Sequence, residues 1–379
     1  MTFLPPPADP KAHEAVREIL RLADVSSCKL YLVGGYVRDA LTGRTRNANK
    51  DFDFMVMSNT PASLLTNSSA NPSESQASST DTKGSSANST SSTANLTANS
   101  QEENLSLQKV AVDFARLVAD RLAGHFVLLD ESNDTARVVM DSGDCFDFAG
   151  CVGGSIESDI RRRDFTINAL MIELSAPNEN DAASKTNACG TDDVQDASKA
   201  NASGENDPQS VIDIVAGIED IKNRIVRAVS EQSFIDDPLR LLRAFRFAAV
   251  LDFDIDETTI GYIQKHAALI STVAAERIST EIFYMLEAKN SAKHIVAMGA
   301  IGLLEEIFVE LKDTRRVTKN AYHHLALFDH SVEALVQCER AVPEMPDWAQ
   351  EALGEPLAQG VSRLAATKLA SLLHDIGKP

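Results

Sequence analysis

Two stretches, LYLVGGYVRDALTGR (30–44) and KDFDFMV (50–56), decide the fold. Lys29–Val33 reads as a strand, and Gly34 and Gly35 sit where that strand ends and a helix begins. Glycines at that turn let the backbone approach a phosphate, and Arg38, one turn into the helix, is placed to meet a triphosphate. In the second stretch acids alternate with apolar residues, so Asp51 and Asp53 leave the next strand on one face. Two adjacent carboxylates repel unless cations bridge them, which makes the pair a natural Mg2+ site. A glycine pair is weak evidence alone, and an isolated DxD is commonly a hydrated strand end. Their succession is what points to phosphate chemistry.

The same periodicities extend outward. Strands are expected at Lys29–Val33, Asp51–Met57, Phe126–Leu129, Arg137–Met140, Cys145–Phe148 and Ala169–Leu174, and helices at His13–Ala23 and Val110–Ala123. From Asp236 the chain reads as helices alone: DPLRLLRAFRFAAVL, TTIGYIQKHAALI, AERISTEIFYMLEA and SAKHIVAMGAIGLLEEI. The expected class is α+β, a mixed sheet with helices followed by an all-α part. Segments 58–104 and 175–210 are rich in Ser, Asn, Thr and Ala. With so few large apolar residues they cannot offset chain entropy, and they read as disordered insertions.

Composition narrows the function classes. A chain of 379 residues, 44% hydrophobic, suffices for two or three domains with cores. No run of eighteen apolar residues occurs and MTFLPPPADPKAHE lacks the basic-then-apolar order of a secretory signal, so no membrane association and a cytoplasmic location are expected. Five scattered cysteines without CxxC spacing indicate neither a disulfide framework nor a cysteine-zinc site. The net charge of −19 confines any nucleic-acid surface to a local stripe. Candidates are Arg161–Arg163, Lys222/Arg224/Arg227 and Arg240/Arg243/Arg246, each also compatible with a solvated face.

GGYVRD with DFDF, then RRRDFTINAL (161–170), DDPLRLLRAFRFAA (236–249) and AERISTE (275–281), in that order, resemble the class II tRNA nucleotidyltransferases, or CCA-adding enzymes, and their bacterial poly(A) polymerase relatives. The resemblance runs from about Lys29 to the end, apart from the insertions. It implies a nucleotidyltransferase head at 1–228, a helical neck that binds RNA at 229–312, and a truncated HD-type domain at 313–379. In that head Asp51 and Asp53 hold two Mg2+ ions, with Asp147 of CFDFAG as the third carboxylate. Gly34, Gly35, Arg38, Arg162 and Arg163 then contact the nucleotide phosphates, and Asp164 and Asn168 the ribose, sharing a face if their segment is helical. The chain departs from the family at Val152, where similar enzymes commonly carry arginine, and at Asp236, where they commonly carry glutamate.

Pro238 favours a helix start, with Asp237 near its cap and Arg240 about one turn along. A carboxylate accepts from an amino group while a guanidinium donates to a ring nitrogen, so the pair complements cytosine and adenine and opposes guanine and uracil. The plainer reading is a capping aspartate with an i+3 salt bridge. Arg243, Arg246, Glu276, Arg277 and Glu281 are expected mainly to brace this helix. His330, His374 and Asp375 resemble the ligands of an HD-type phosphohydrolase and suit a transition metal; the pattern's distant aspartate would lie beyond residue 379. The expected function is addition of C and A to tRNA 3′ ends from CTP and ATP, without a nucleic-acid template. Poly(A) synthesis, CC-only or A-only addition, and a non-catalytic RNA-binding role are the alternatives. HFVLLDESNDTARVV lacks the basic RFRxxHV-like segment of poly(A) members, which favours tRNA.

Overall fold

The computed structural model describes residues 10–44, 51–59, 109–175, 211–319, 324–358 and 360–378. The two expected insertions lie almost wholly outside the described residues. Ser58, the first residue of one of them, instead closes a strand, and the amide of Asn59 just after it donates to the Ser27 carbonyl at 2.9 Å.

The head contains α1 (Pro10–Val25), β1 (Cys28–Val33), α2 (Gly35–Leu41), β2 (Asp51–Ser58), α3 (Val110–Leu122), β3 (His125–Asp130), β4 (Thr135–Val139), β5 (Cys145–Gly150), α4 (Ile156–Arg161), β6 (Met171–Leu174), β7 (Val211–Ile212) and α5 (Gly217–Asn223). Its seven strands form one sheet in the order β3-β4-β5-β2-β1-β6-β7, antiparallel except for the central parallel pair β2–β5. All six expected strands are present, and the two-residue β7 is too short for a pattern to announce. The strand expected from Ala169 begins at Met171, because Thr166–Asn168 first make a 3-10 turn.

Alternation along the central pair explains where the acids point. Phe52 and Phe54 of β2 stack on Phe146 and Phe148 of β5, with centroids 5.5 and 5.4 Å apart. Helices α1 and α3 close over that face with Val16, Ile19, Phe114 and Val118. Burying each phenylalanine contributes roughly 1.5–3 kcal/mol, and a period of two then forces Asp51, Asp53 and Asp147 onto the opposite face. The register sets Asp53 directly beside Asp147.

The helical part comprises α6 (Gln232–Asp236), α7 (Arg240–Leu251), α8 (Glu257–His266), α9 (Ala275–Leu286), α10 (Ser291–Ala300), α11 (Leu303–Ile307), α12 (Leu311–Thr314), α13 (Leu327–Ala341), α14 (Asp347–Gly354) and α15 (Arg363–Leu373), with short strands β8 (Ile225–Val226), β9 (Asp254–Ile255), β10 (Pro356–Ala358) and β11 (Val361–Ser362). Residues 291–307, read as one helix, are two, because Gly302 takes a left-handed φ of +81° between them. Helix α7 is the hub: Leu241, Leu242, Ala244, Phe245 and Ala248 are buried, and Arg240, Arg243 and Arg246 recur every third residue on one stripe.

Polar contacts join these elements. Arg44 of the head donates to the Val250 and Leu251 carbonyls at 2.7 and 2.8 Å, capping the C-terminal end of α7. Lys368 of α15, 1% exposed, donates to the Leu286 and Ala288 carbonyls, Ser291 Oγ and Glu339 Oε1 at 2.8–3.1 Å. Glu339 of α13 in turn accepts from the Ser291 and Ala292 amides at the start of α10, both at 3.0 Å. Among the described residues no helix is long and apolar enough to cross a membrane.

Candidate active site

Asp51 is exposed at the start of β2, while Asp53 and Asp147 are partly covered. Burial first, then the negative charges of Asp147 and Asp51, push the Asp53 carboxyl up to about 6, against the opposing pull of Arg163 and Arg137. Arg137 faces Asp147 across the β4–β5 register and grips it with both ends of its fork, Nε at 2.6 Å and a terminal nitrogen at 2.7 Å. Gly34, at φ +74°, leads from β1 into α2; a Cβ there would stand 3.4 Å from Asp53 Oδ2. Glycine thus keeps the backbone close beside the carboxylates, as the turn reading expects, with Gly35 opening the helix.

The remaining predicted nucleotide contacts are more tightly committed than the sequence suggests. Arg38 is 2% exposed. It donates to Asp39 Oδ1 from Nε at 2.9 Å and a terminal nitrogen at 2.7 Å, and from the other terminal nitrogen to Asn168 Oδ1 at 2.6 Å, so it faces the interior rather than an open triphosphate position. Arg162 and Arg163 both clamp Asp159, which is fully buried: Arg162 on Oδ1 at 2.9 and 2.5 Å, Arg163 on Oδ2 at 3.1 and 2.8 Å. Asp164 and Asn168 do not lie on an α-helix, since only the 3-10 turn separates them, yet they meet: Asn168 Nδ2 donates to Asp164 Oδ1 at 3.2 Å. Burial works to raise the Asp164 carboxyl, but Arg243, the Phe165 amide and Asn168 outweigh it and hold it below the ordinary value.

Around Asp237 the structure differs from the capping picture. Asp237 closes α6, and α7 begins at Arg240 rather than at Pro238, after Leu239. The Asp237 carboxylate accepts from Arg277 of α9 at 3.2 and 3.3 Å and from the Leu239 amide at 3.3 Å. No Asp237–Arg240 ion pair forms among the described residues. Arg240 donates one terminal nitrogen to the carbonyls of Arg162 (2.8 Å) and Ser233 (3.3 Å), and its Nε and second terminal nitrogen make no hydrogen bond among them. Burial holds its guanidinium below the usual value.

His330, on α13, and His374 and Asp375, just past α15, converge so that their ligand atoms lie within 4.8 Å of one another. The two Nε2 atoms are 3.2 Å apart, and Asp375 Oδ2 is 3.2 Å from His374 Nε2 and 2.6 Å from the Lys378 ammonium. The Lys378 bond, first among its neighbours, holds the Asp375 carboxyl low.

Sequence reasoning misses Arg137, Asp159 and Phe247. Arg137 is one alternating residue in an edge-side hairpin until register sets it opposite Asp147, and Asp159 looks like an ordinary acid in a short helix. Phe247 reads as core, yet Arg246, Arg243 and Arg38 place their guanidinium carbons 3.9, 5.1 and 5.2 Å from its ring centroid.

The family described as Poly A polymerase head domain matches residues 30–227, and that described as probable RNA and SrmB-binding site of polymerase A matches 252–314. The CC-adding tRNA nucleotidyltransferase of Geobacter sulfurreducens is 33% identical over 70% of this chain and 53% of its own length. The A-adding enzyme of Deinococcus radiodurans is 28% identical over 70% and 50%. The chain thus spans about half the length of the curated relatives it matches. Among solved structures, the Thermotoga maritima CCA-adding enzyme complexed with tRNA covers 98% of this chain and 64% of its own at 24% identity and a TM-score of 0.60, a likeness of fold. With more than half of its length matched by the head-domain family, the chain belongs to the poly(A) polymerase head-domain family, the family of the class II tRNA nucleotidyltransferases.

Proposed function

We propose that the protein adds C and A nucleotides to the 3′ end of tRNA, taking them from CTP and ATP and releasing pyrophosphate. The observation that carries this reading is the pairing of two sites. Asp51, Asp53 and Asp147 gather on one sheet face beside Gly34, and Arg240, close in sequence to Asp237, is tied to the head through the Arg162 carbonyl.

The donor set fits divalent magnesium: three carboxylates, one of them pushed up to about 6 partly by its like-charged neighbours, form a hard-oxygen cluster. Asp51 and Asp53 would hold the ions, with Asp147 beside them, and two Mg2+ would activate the primer hydroxyl and neutralise the departing pyrophosphate. The chain's own residues do the rest. Arg137 restrains Asp147, Asp164 and Asn168 meet the ribose, and Asp237 presents an acceptor and Arg240 its uncommitted donors to the base edge. Arg163 acts on Asp53 from nearby, and it and Arg162 would turn from Asp159 towards the phosphates. In this reading the head spans 1–228, the neck 229–312 and an HD-type unit 313–379. His330, His374 and Asp375 have the imidazole and carboxylate donors of a transition-metal site, in competition with the Lys378 ammonium.

Incubating the protein with radiolabelled CTP or ATP and tRNA transcripts ending at the discriminator base, at C, or at CC tests this. Incorporation dependent on Mg2+ supports it, and the pattern over the three ends tells CCA from CC-only or A-only addition. Extended A tracts indicate poly(A) synthesis, and no incorporation with retained tRNA binding indicates an RNA-binding role. Manganese or nickel titration by calorimetry, against His374→Ala, tests the second centre.

A further inference from the structure

We propose that Arg243 is a positioning residue for ribose recognition: a sugar hydroxyl reaches Asp164 by replacing one bond from Arg243. The inference rests on the reading of Asp164 and Asn168 as the ribose contact.

An ionised carboxylate offers about four acceptor positions. Asp164 has four donors already: the Phe165 amide at 2.7 Å and Asn168 Nδ2 at 3.2 Å on Oδ1, and Arg243 Nε at 3.2 Å and its terminal nitrogen at 2.6 Å on Oδ2. A hydroxyl therefore cannot simply be added to this carboxylate. The backbone bond is fixed, and the Asn168 amide is locked in orientation because its oxygen accepts from Arg38 at 2.6 Å. The long Arg243 Nε bond is the one that can open while the 2.6 Å bond and the compensating charge stay.

Arg243 also has an alternative anchor. Glu281 Oε1 of α9 lies 3.7 Å from its second terminal nitrogen, and Glu281 itself is held by Arg246. Phe247 limits the travel, since Arg243 and Arg38 both stack against its ring. The two members of the ribose pair are thus each gripped by an arginine, Asp164 by Arg243 and Asn168 by Arg38, and both arginines rest on one aromatic side chain.

Calorimetric titration of the full chain with CTP, 2′-deoxy-CTP, 3′-deoxy-CTP and UTP in Mg2+ provides the test. Wild type should prefer CTP to at least one of the deoxy analogues. Arg243→Lys keeps the charge but not the fork, and should reduce that preference roughly tenfold, the weight of one charge-assisted hydrogen bond, while leaving the CTP/UTP ratio within about twofold. Phe247→Leu, which leaves every polar partner in place, should shift the same ratio in the same direction. Uniform weakening of all four nucleotides, with the ribo/deoxy ratio unchanged in both variants, would reduce Arg243 to a structural brace and overturn the inference alone. A wild type that incorporates CMP into tRNA yet binds CTP and both deoxy analogues equally overturns the ribose reading and the inference with it. A wild type that binds no nucleotide overturns the proposed function as well.

Discussion

Asp53 is held by the fold against its chemical preference. Its carboxyl rises from 3.8 to about 6 on folding, so between those values the folded chain binds more protons than the unfolded one. Metal-free stability must then fall as pH rises through that window, by up to about 3 kcal/mol. Asp53→Asn should accordingly raise the Tm of chelator-treated protein at pH 8 by several degrees and abolish nucleotide incorporation. Added Mg2+ should raise the wild-type Tm and leave the variant's where it was, as scanning calorimetry would show. At the same scale, Arg240 carries uncommitted donors next to Asp237. Arg240→Ala should impair CTP and ATP use together and lower discrimination against UTP by about tenfold. Steady-state kcat/KM for the four nucleotides measures this, and an unchanged C/U ratio would remove Arg240 from base reading.

Among elements, the junction of α9, α10, α13 and α15 turns on one buried charge. Lys368 satisfies two carbonyls at the end of α9 and binds the same Glu339 that caps α10. Lys368→Met should cost about 3–5 kcal/mol, because it leaves Glu339 and the carbonyls without their cation. Adding Glu339→Gln should recover part of that loss, and urea unfolding of the single and double variants would show whether the two are coupled. This junction was not legible beforehand. The apolar periodicity announces that α9 and α10 are helices, whereas Lys368 looks like any solvated lysine until three other helices close around it. Gly302 makes the same point in reverse: the apolar pattern runs through 291–307, and only its left-handed backbone stops the helix.

Over the whole molecule, acid stability reflects opposed buried groups. Burial first, and Lys293 second, lower the His294 imidazole from 6.5 to about 4, with Asp254, Asp252 and Glu339 pulling the other way. The unfolded chain binds the extra proton between those values, so this group's contribution is present at neutral pH and is lost as pH falls from 6.5 towards 4. Asp53 changes stability with the opposite sign over most of the same range. Asp53→Asn should therefore show a steeper loss of urea midpoint between pH 6.5 and 4.5 than wild type, and His294→Gln a shallower or reversed one. Parallel slopes in all three proteins would mean that neither group is held as the structure indicates.

Local periodicity in the sequence by itself determined the α+β class, the six main strands, the common face of Asp51 and Asp53 and the glycine turn beside them. Those features depend on residues two to four apart, whose geometry the backbone imposes wherever the chain lies. The motif order likewise pointed to the family before any coordinates. Partnership was decided only by the tertiary structure. Arg137 meets Asp147 because β4 and β5 pair in one register, Arg277 rather than Arg240 takes Asp237 because α9 crosses there, and Arg38 turns inward because Phe247 and Asn168 await it. A charged side chain finds its counter-ion through contacts far apart in sequence, and burial then fixes the choice, since a desolvated charge must keep the partner that the packing provides.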